Sequence, residues 1–291
     1  MWMLAEIFCD VDDFCQWFEP QWRQRLLSSA ARQRDRATQL STSEVITIVI
    51  GFHQSGYRTF KAYYEQHVRY EMREAFPGLV SYNRCVELTG RVLVPLCAYL
   101  HTRRGQATGL AFIDATPLAV CHNRRIHRHR VFAEQAARGR TSMGWFYGLK
   151  LHVIANERGE LLAFKLTPGN VDDRTPLLQL AAGLTGKLYG DKGYISQAKT
   201  KQLAEQGLTL ITRTRRNMKA ALLSPFDQQL LPRRALIETI FDQLKSICQM
   251  EHTRHRSTTN AIVNIMAALV AYTWREHKPS LRLDMSMPVP I

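Results

Sequence analysis

The chain has 291 residues, 45% of them hydrophobic, which is enough to bury a core in one large domain or in two smaller ones. Its 39 Lys and Arg residues outnumber its 25 Asp and Glu residues, and the net charge of +14 favours a polyanionic partner, either nucleic acid or an acidic membrane surface. The N-terminus shows no cleavable signal pattern, and the apolar run at residues 261–272 is shorter than the about 20 residues that a membrane span needs.

The six cysteines form no Cys-x-x-Cys pair, and their spacing is typical of neither a disulfide framework nor a zinc finger. They predict reduced, mostly buried thiols in a cytoplasmic protein. A zinc site built from Cys121, His122, His127 and His129 is an alternative, but its spacing is poor for zinc.

The first hundred residues carry helical patterns and no alternation typical of strands. Ser41 is followed by Glu44 and then by the apolar run 45–52, a pattern that predicts a capped helix start. Gly56 and the Pro-Gly pair at 77–78 are expected to interrupt the helices. We therefore predict a small all-helical N-terminal domain over residues 1–105.

The pattern changes after residue 105 to short apolar runs that alternate with helical segments. Strands are predicted at 109–120, 145–156, 161–167, 187–189 and 208–212, and helices at 176–184, 196–206, 235–249 and 259–276. A hairpin-linked group of strands followed by alternating units predicts an α/β domain with a mixed sheet flanked by helices, which is the element order of the ribonuclease-H-like fold. We assign this domain to residues 106–278 and a flexible tail to 279–291.

Asp114 is the only charged residue in the predicted strand 109–120. An ionised carboxylate in a buried strand is costly unless it is paired or bound to a metal ion. The alternative is a strand-end Asp that is hydrogen-bonded to a neighbouring turn.

Asp191 follows the short strand 187–189 and is flanked by Gly190 and Gly193. Ligands gather at the carboxyl ends of strands in open α/β sheets, and the glycines leave room for a metal ion or a phosphate. The alternative is an ordinary turn Asp, because Gly-Asp-Lys-Gly is also favourable turn chemistry.

Glu238 lies in the predicted helix 235–249, and on a helix Arg234, Glu238 and Lys245 fall within roughly 40° of one another. The apolar residues form a separate stripe, which comprises Ile237, Ile240, Phe241, Leu244 and Ile247. The alternative is a solvated helix face with an i,i+4 ion pair, and Asp242 is a rival for the acidic role.

Three carboxylates that converge from two strands and a helix suit Mg²⁺, a hard cation that prefers oxygen ligands. Two such ions, about 4 Å apart, activate a water or a 3′-hydroxyl and stabilise the leaving 3′-oxygen of a phosphodiester. Lys and Arg beside the acids are suited to holding the phosphate.

Three sequence blocks resemble those of the DDE transposases encoded by small single-gene bacterial insertion sequences. Residues 112–117 (FIDATP) look like the first-Asp strand, residues 188–194 (LYGDKGY) look like the second-Asp block, and Arg234-x3-Glu238-x6-Lys245 is similar to the third-acid signature. Residues 43–64 also resemble the helical region that precedes the catalytic domain in one branch of these elements. One departure is Leu231, where many relatives have Tyr.

The resemblance implies a ribonuclease-H-like catalytic domain in which Asp114, Asp191 and Glu238 are the catalytic and metal-binding residues. It implies two Mg²⁺ ions, with Mn²⁺ able to substitute, and cleavage at terminal inverted repeats followed by strand transfer of the 3′-OH ends into target DNA. It further implies a homodimer or larger complex on double-stranded DNA near the nucleoid, with residues 1–105 binding DNA ends or dimerising. The alternatives are a ribonuclease-H-like nuclease that does not join DNA and a catalytically inactive DNA-binding derivative.

Two basic segments, at residues 122–140 and 213–219, are candidate DNA-binding strips, and solvated loops are the alternative for both. The candidate phosphate contacts are Arg124, Arg125, Arg128, Arg130, Arg138 and Arg140 in the first strip, Arg213, Arg215, Arg216 and Lys219 in the second, and Arg234, Lys245 and Lys192 beside the acids.

Overall fold

The computed structural model describes residues 2–28, 38–142, 144–214, 218, 223–251 and 255–281. The chain divides into a helical unit, residues 1–103 with 244–274, and an α/β unit, residues 104–243 with 275–291. The predicted domain boundary after residue 105 lies two residues from this division. Residues 244–274, which we predicted to belong to the second domain, group instead with the N-terminal helices.

The described secondary structure is as follows. The helices are α1 (Trp2–Ser28), α2 (Thr42–Gln54), α3 (Phe60–Ala62), α4 (Arg69–Glu71), α5 (Tyr82–Thr89), α6 (Leu93–Thr102), α7 (Leu177–Leu180), α8 (Gln197–Glu205), α9 (Pro225–Leu230), α10 (Ala235–Asp242) and α11 (Thr258–Thr273). The strands are β1 (Leu110–Cys121), β2 (Ala137–Thr141), β3 (Gly144–Asn156), β4 (Leu161–Pro168), β5 (Gly186–Gly190) and β6 (Leu208–Thr212). Turns of π-helix occupy Tyr63–Val68 and Gln243–Ile247.

The helical unit is built around α2, which packs against α1, α5 and α11. The predicted capping box is confirmed: the Ser41 side chain accepts from the Glu44 backbone N–H, and the Glu44 side chain accepts from the Ser41 backbone N–H. Ser43 and residues 45–53 are buried, whereas Glu44 is half-buried, so the apolar run that begins at residue 45 is an interior helix. The apolar run 261–272 lies in α11 and is also part of this core.

Every helix in the described ranges is too short or too polar to cross a membrane. All six cysteines are free thiols. Three of them are buried, Cys97 and Cys121 are half-buried, and Cys9 is exposed, so the thiols are less buried than predicted.

The α/β unit contains one six-stranded mixed sheet. Five strands follow the order β2-β3-β1-β5-β6, and the sixth, β4, pairs with β3 on the same edge as β2. Strand β3 is antiparallel to β1, β2 and β4, whereas β5 is parallel to both β1 and β6. Ile113 packs in a core with α7 and α8, while its neighbour Phe112 stacks on Tyr189 on the other face. Helix α10 also packs on β1. This mixed sheet with helices on both faces confirms the predicted ribonuclease-H-like fold class.

The structure differs from the predicted elements in four places. Strand β2 was not predicted and lies inside the first basic segment. Helix α7 covers only four residues of the predicted helix 176–184. Helix α10 ends at Asp242 and continues as a π-helical turn, after which Ile247 is 46% exposed rather than buried. Finally, the backbone N–H of Leu281 donates to Glu157 O, which anchors the start of the predicted tail; residues 282–291 lie outside the described residues.

Candidate active site

Asp114 lies in the middle of β1, on the face opposite Ile113. Its side chain is 22% exposed. The backbone N–H of Ala115 donates to Oδ1 at 2.8 Å, and Arg234 Nη1 donates to Oδ2 at 2.8 Å. The half-buried acid on β1 is therefore paired with an arginine that is 120 residues away in the sequence.

Asp191 directly follows β5, the parallel neighbour of β1. Phe112 pairs with Tyr189, so Asp114 and Asp191 each lie two residues beyond the same rung of the sheet. The Asp191 side chain accepts from the Gly193 backbone N–H at 2.7 Å, which caps a short 3₁₀ turn. A Cβ at position 193 would lie only 2.8 Å from Asp191 Oδ1, so the glycine permits this turn.

The electrostatic environment of Asp114 includes the neighbouring Asp191. Burial raises the pKa of Asp114 to about 6, and the negative charge of Asp191 adds to this rise. The hydrogen bond from Ala115 and the positive charge of Arg234 oppose it. Burial therefore disfavours the charged form of Asp114 more than its partners restore it, a cost that a bound cation would reduce.

Glu238 lies one turn after Arg234 at the start of α10, and its side chain is 60% exposed. Arg234 Nη2 donates to Glu238 Oε1 at 3.1 Å. The i,i+4 ion pair that we considered as the alternative is therefore present. The same guanidinium also binds Asp114, so Arg234 joins the helix acid to the strand acid. Asp242, the rival acid, is exposed one turn further along the helix.

Lys245 lies in the π-helical turn that follows α10, and this turn belongs to the helical unit from residue 244 onward. Its Nζ is 3.7 Å from Glu251 Oε2. Leu231, the departure from the family pattern, is buried directly after α9 and contributes packing at that position.

The pKa of the buried Tyr194 phenol is raised first by burial and then by the negative charges of Asp114, Asp173 and Asp191. Its hydroxyl has no hydrogen-bond partner among the described residues. A buried hydroxyl usually has a partner, so this unpartnered atom is an exception within the core around Ile113.

The carboxylates fit a divalent cation by chemistry, because hard cations prefer carboxylate oxygens. Within the described ranges, however, no three His, Cys, Asp or Glu side chains are close enough together to hold a metal ion. Glu238 is joined to Asp114 through Arg234, so gathering all three acids around one cation requires Arg234 to withdraw.

Asp227 on α9 is a buried acid that the sequence analysis did not single out. It accepts hydrogen bonds from Lys187 Nζ at 3.0 Å, Tyr189 Oη at 2.8 Å and Ser224 Oγ at 2.6 Å. Burial alone would raise the pKa of Asp227, but these hydrogen bonds together lower it. Through its bonds to Lys187 and Tyr189, Asp227 anchors α9 to strand β5. The turn that contains Arg234 follows α9 directly.

His152 on β3 is fully buried, and its Nε2 lies 2.8 Å from Thr167 Oγ1. Nearby, Lys150 Nζ binds Asp173 Oδ1 at 2.8 Å. Burial lowers the pKa of His152 to about 4; Asp173 opposes this shift, whereas Lys150 and Lys165 add to it. This histidine is therefore neutral in the folded protein above about pH 4.

We expect His152 to make the stability of the protein pH-dependent. The unfolded chain takes up this proton near pH 6.5, whereas the folded chain takes it up only near pH 4. The contribution of neutral His152 is complete above the unfolded pKa, and about 3 kcal/mol is lost as the pH falls from about 6.5 to 4. Urea unfolding across this range should show that the stability difference between His152→Gln and the unmodified chain changes with pH. A difference that stays constant with pH would contradict this prediction, and His127→Gln, at an exposed position, is the control.

The first basic segment contains exposed arginines. Arg124, Arg125, Arg128, Arg130, Arg138 and Arg140 are all exposed. Arg138 and Arg140 are two residues apart on β2, which pairs with β3. Their side chains therefore lie on the same face of the sheet. Arg140 also lies over the ring of the 57% exposed Trp145, with 5.8 Å from Cζ to the ring centroid. Lys192 and Arg213 are exposed, whereas Arg215, Arg216 and Lys219 lie outside the described residues.

Residues 104–258, more than half of the chain, match the model of the family described as "Transposase DDE domain". This range contains Asp114, Asp191, Glu238 and Arg234. No significant match was found among curated proteins.

Proposed function

This chain belongs to the transposase DDE domain family, and from that premise we propose that it cuts DNA at the terminal inverted repeats of a mobile element and joins the 3′-OH ends to target DNA. The observation that carries the proposal is the Arg234 bridge. It joins an acid on a buried strand to an acid on helix α10, while Asp191 directly follows the neighbouring parallel strand.

Transposases of this family use divalent metal ions, and we propose Mg²⁺, with Mn²⁺ as a substitute, held by Asp114, Asp191 and Glu238. The ions would supply Lewis-acid stabilisation of the attacking and leaving oxygens of the phosphodiester. Arg234 is the cation that compensates Asp114 in this structure. On releasing the carboxylates, its planar guanidinium would be available to hold a non-bridging oxygen of the scissile phosphate.

The exposed arginines support the proposed binding of double-stranded DNA. We propose that the arginines between residues 124 and 140, with Lys192 and Arg213, contact phosphates on either side of the cleaved bond. We also propose the same role for Arg215, Arg216, Lys219 and Lys245, and action as a homodimer or larger complex.

A strand-transfer assay with element-end DNA and Mg²⁺ tests the proposed function. Cutting at the ends and insertion of a pre-cleaved 3′-OH end into target DNA are both expected. Cutting without insertion would favour a nuclease that does not join DNA. Footprints on the inverted repeats without metal-dependent cutting would favour an inactive DNA-binding derivative.

We expect Arg234→Gln to separate metal binding from catalysis. The variant removes a charged hydrogen-bond donor that competes for Asp114 and Glu238, so the half-saturating Mn²⁺ concentration should fall about tenfold. The cleavage rate at saturating metal should also fall, because no guanidinium remains for the phosphate. Mn²⁺ titration by electron paramagnetic resonance and cleavage rates would be compared with those of the exposed neighbour variant Arg233→Gln. Weaker Mn²⁺ binding in Arg234→Gln would contradict this role.

We expect the double variant Arg138→Ala/Arg140→Ala to bind duplex DNA with a weaker dependence on salt. Each lost phosphate contact should lower the slope of log affinity against log salt by about 0.9. Arg158→Ala is the matched control, because Arg158 is exposed in the turn between β3 and β4. Equal slopes for the two variants would show that the β2 arginines only face solvent.

A further inference from the structure

The helical unit contains a cavity of about 600 Å³ between α2, α3, α5 and the start of α11. Pockets of roughly 300–1,000 Å³ are typical of sites for small organic ligands. The cavity is separate from the candidate active site. All of its lining residues lie in residues 49–89 and 255–264, and none of them is Asp114, Asp191 or Glu238. The nature of its lining indicates which ligand it suits.

Aromatic rings line one side of the cavity. Phe60 and Tyr82 are half-buried, and their ring centroids are 6.3 Å apart at an interplanar angle of 43°. Behind them, Phe52 and Val263 close the interior with apolar surface. Half-exposed rings beside an apolar interior suit a flat aromatic ligand that stacks.

Positive charge lines the same cavity. Lys61 and Arg256 are exposed lining residues, and Lys61 Nζ lies 5.9 Å from the centroid of the Tyr82 ring. Burial raises the pKa of Tyr82, with smaller contributions from Cys85 and Glu65, and the positive charge of Arg256 opposes that rise. The amino end of the 16-residue helix α11 adds its partial positive charge. The ligand should therefore be anionic as well as aromatic.

Two side-chain amides provide polar groups of fixed orientation. Asn260 Nδ2 donates to Val86 O at 3.0 Å, and Asn264 Nδ2 donates to Met250 O at 3.2 Å. These bonds tie the start of α11 to residues 86 and 250 and so fix the position of this wall of the cavity.

We propose that this cavity binds one unpaired nucleotide of DNA, with its base against Phe60 and Tyr82 and its phosphate at Lys61 and Arg256. The inference rests on the proposed function only in taking DNA as the partner. A transposase that opens the duplex at an element end exposes such a nucleotide, and this site would hold it away from the intact duplex. The helical unit then distinguishes opened from closed DNA.

Photo-cross-linking of the full chain tests the site directly. A single-stranded oligonucleotide with 5-iodouracil is bound to the unmodified protein in EDTA, irradiated, and the linked peptides are identified by mass spectrometry. Links to the peptides that contain Phe60 or Tyr82 are expected. Links confined to residues 104–243 would overturn the proposal. Because EDTA prevents cutting, the result does not depend on whether the chain cleaves or joins DNA.

Fluorescence anisotropy with labelled oligothymidylate supplies an independent readout. Tyr82→Ala should raise the dissociation constant for the single strand about tenfold, with a much smaller effect on a duplex of equal length. Lys61→Ala, at an exposed position, should lower the salt slope by about 0.7. Tyr70→Ala and Arg73→Ala are the ring and charge controls, because both residues are exposed and outside the lining. Control effects as large as those of Tyr82→Ala and Lys61→Ala would also overturn the proposal.

Discussion

Replacing Asp114 with Asn is expected to reduce the rate of end cleavage by roughly a thousandfold or more while leaving the protein folded. An amide cannot supply the anionic oxygen that a divalent cation needs. The fold should tolerate the change because burial already disfavours the ionised form of Asp114, raising its pKa to about 6. The neutral amide oxygen can still accept from Arg234, so the melting temperature should not fall.

Asp191→Asn and Glu238→Gln should show the same loss of cleavage if the three acids act together. Asp242→Asn is the matched control, because this exposed acid lies one turn from Glu238 on the same helix. The cleavage rates of radiolabelled element-end DNA in Mg²⁺ would be compared among variants that circular dichroism shows to be folded to the same extent. If Asp242→Asn lost activity and Glu238→Gln kept it, the third acid would have to be reassigned to Asp242.

Asp227→Ala is expected to reduce the free energy of unfolding by about 3–5 kcal/mol. The substitution leaves Lys187, only 16% exposed at its side chain, without its carboxylate and removes the acceptor of the buried Tyr189 hydroxyl. A charge left unpaired in such a place costs far more than the loss of a surface pair. Cleavage should also slow, because α9 leads into Arg234 and α10.

Urea unfolding would measure this loss, and Asp172→Ala is the control. Asp172 pairs with Arg174 at 2.7 Å, but its side chain is 51% exposed, so its removal should cost less than about 1 kcal/mol. The lowered pKa of Asp227 gives a second check. Its contribution is present above the pKa of an unfolded Asp and should disappear as the pH falls through the lower folded value. Equal losses for the two variants would refute the anchoring role of Asp227.

Local sequence patterns, such as apolar runs bounded by turn residues, were sufficient to predict much of the fold. Strands β1, β3, β4 and β6 begin and end within one residue of their predicted limits, because each combines apolar residues with a clear turn or glycine at its boundary. Strand β2 was missed because its sequence, ARGRT, has no apolar alternation; its strand conformation comes from pairing with β3. The helix after Ala235 was predicted too long, because the apolar spacing does not reveal a π-helical turn.

The acids of the candidate site were identifiable from sequence, but their partners were not. Asp114 stood out as a single charge in an apolar strand, and Asp191 by its flanking glycines. The contact between Arg234 and Asp114 joins residues 120 positions apart, and the contacts of Asp227 with Lys187 and Tyr189 span 40 and 38 positions. Such contacts follow from the pairing of β1 with β5 and the packing of helices on them, which local periodicity does not encode.

The helical unit combines two segments that are far apart in the chain, and this affects how it folds during synthesis. Residues 1–103 need residues 244–274 to complete this unit, so 171 further residues, 104–274, are translated after its first part before the unit is complete. At roughly 5–20 residues per second, the ribosome needs about 10–35 s for that interval. During this time the surface of α2 that packs on α11 lacks its cover. Chains that terminate before α11 would therefore expose apolar surface of the kind that chaperones and proteases engage.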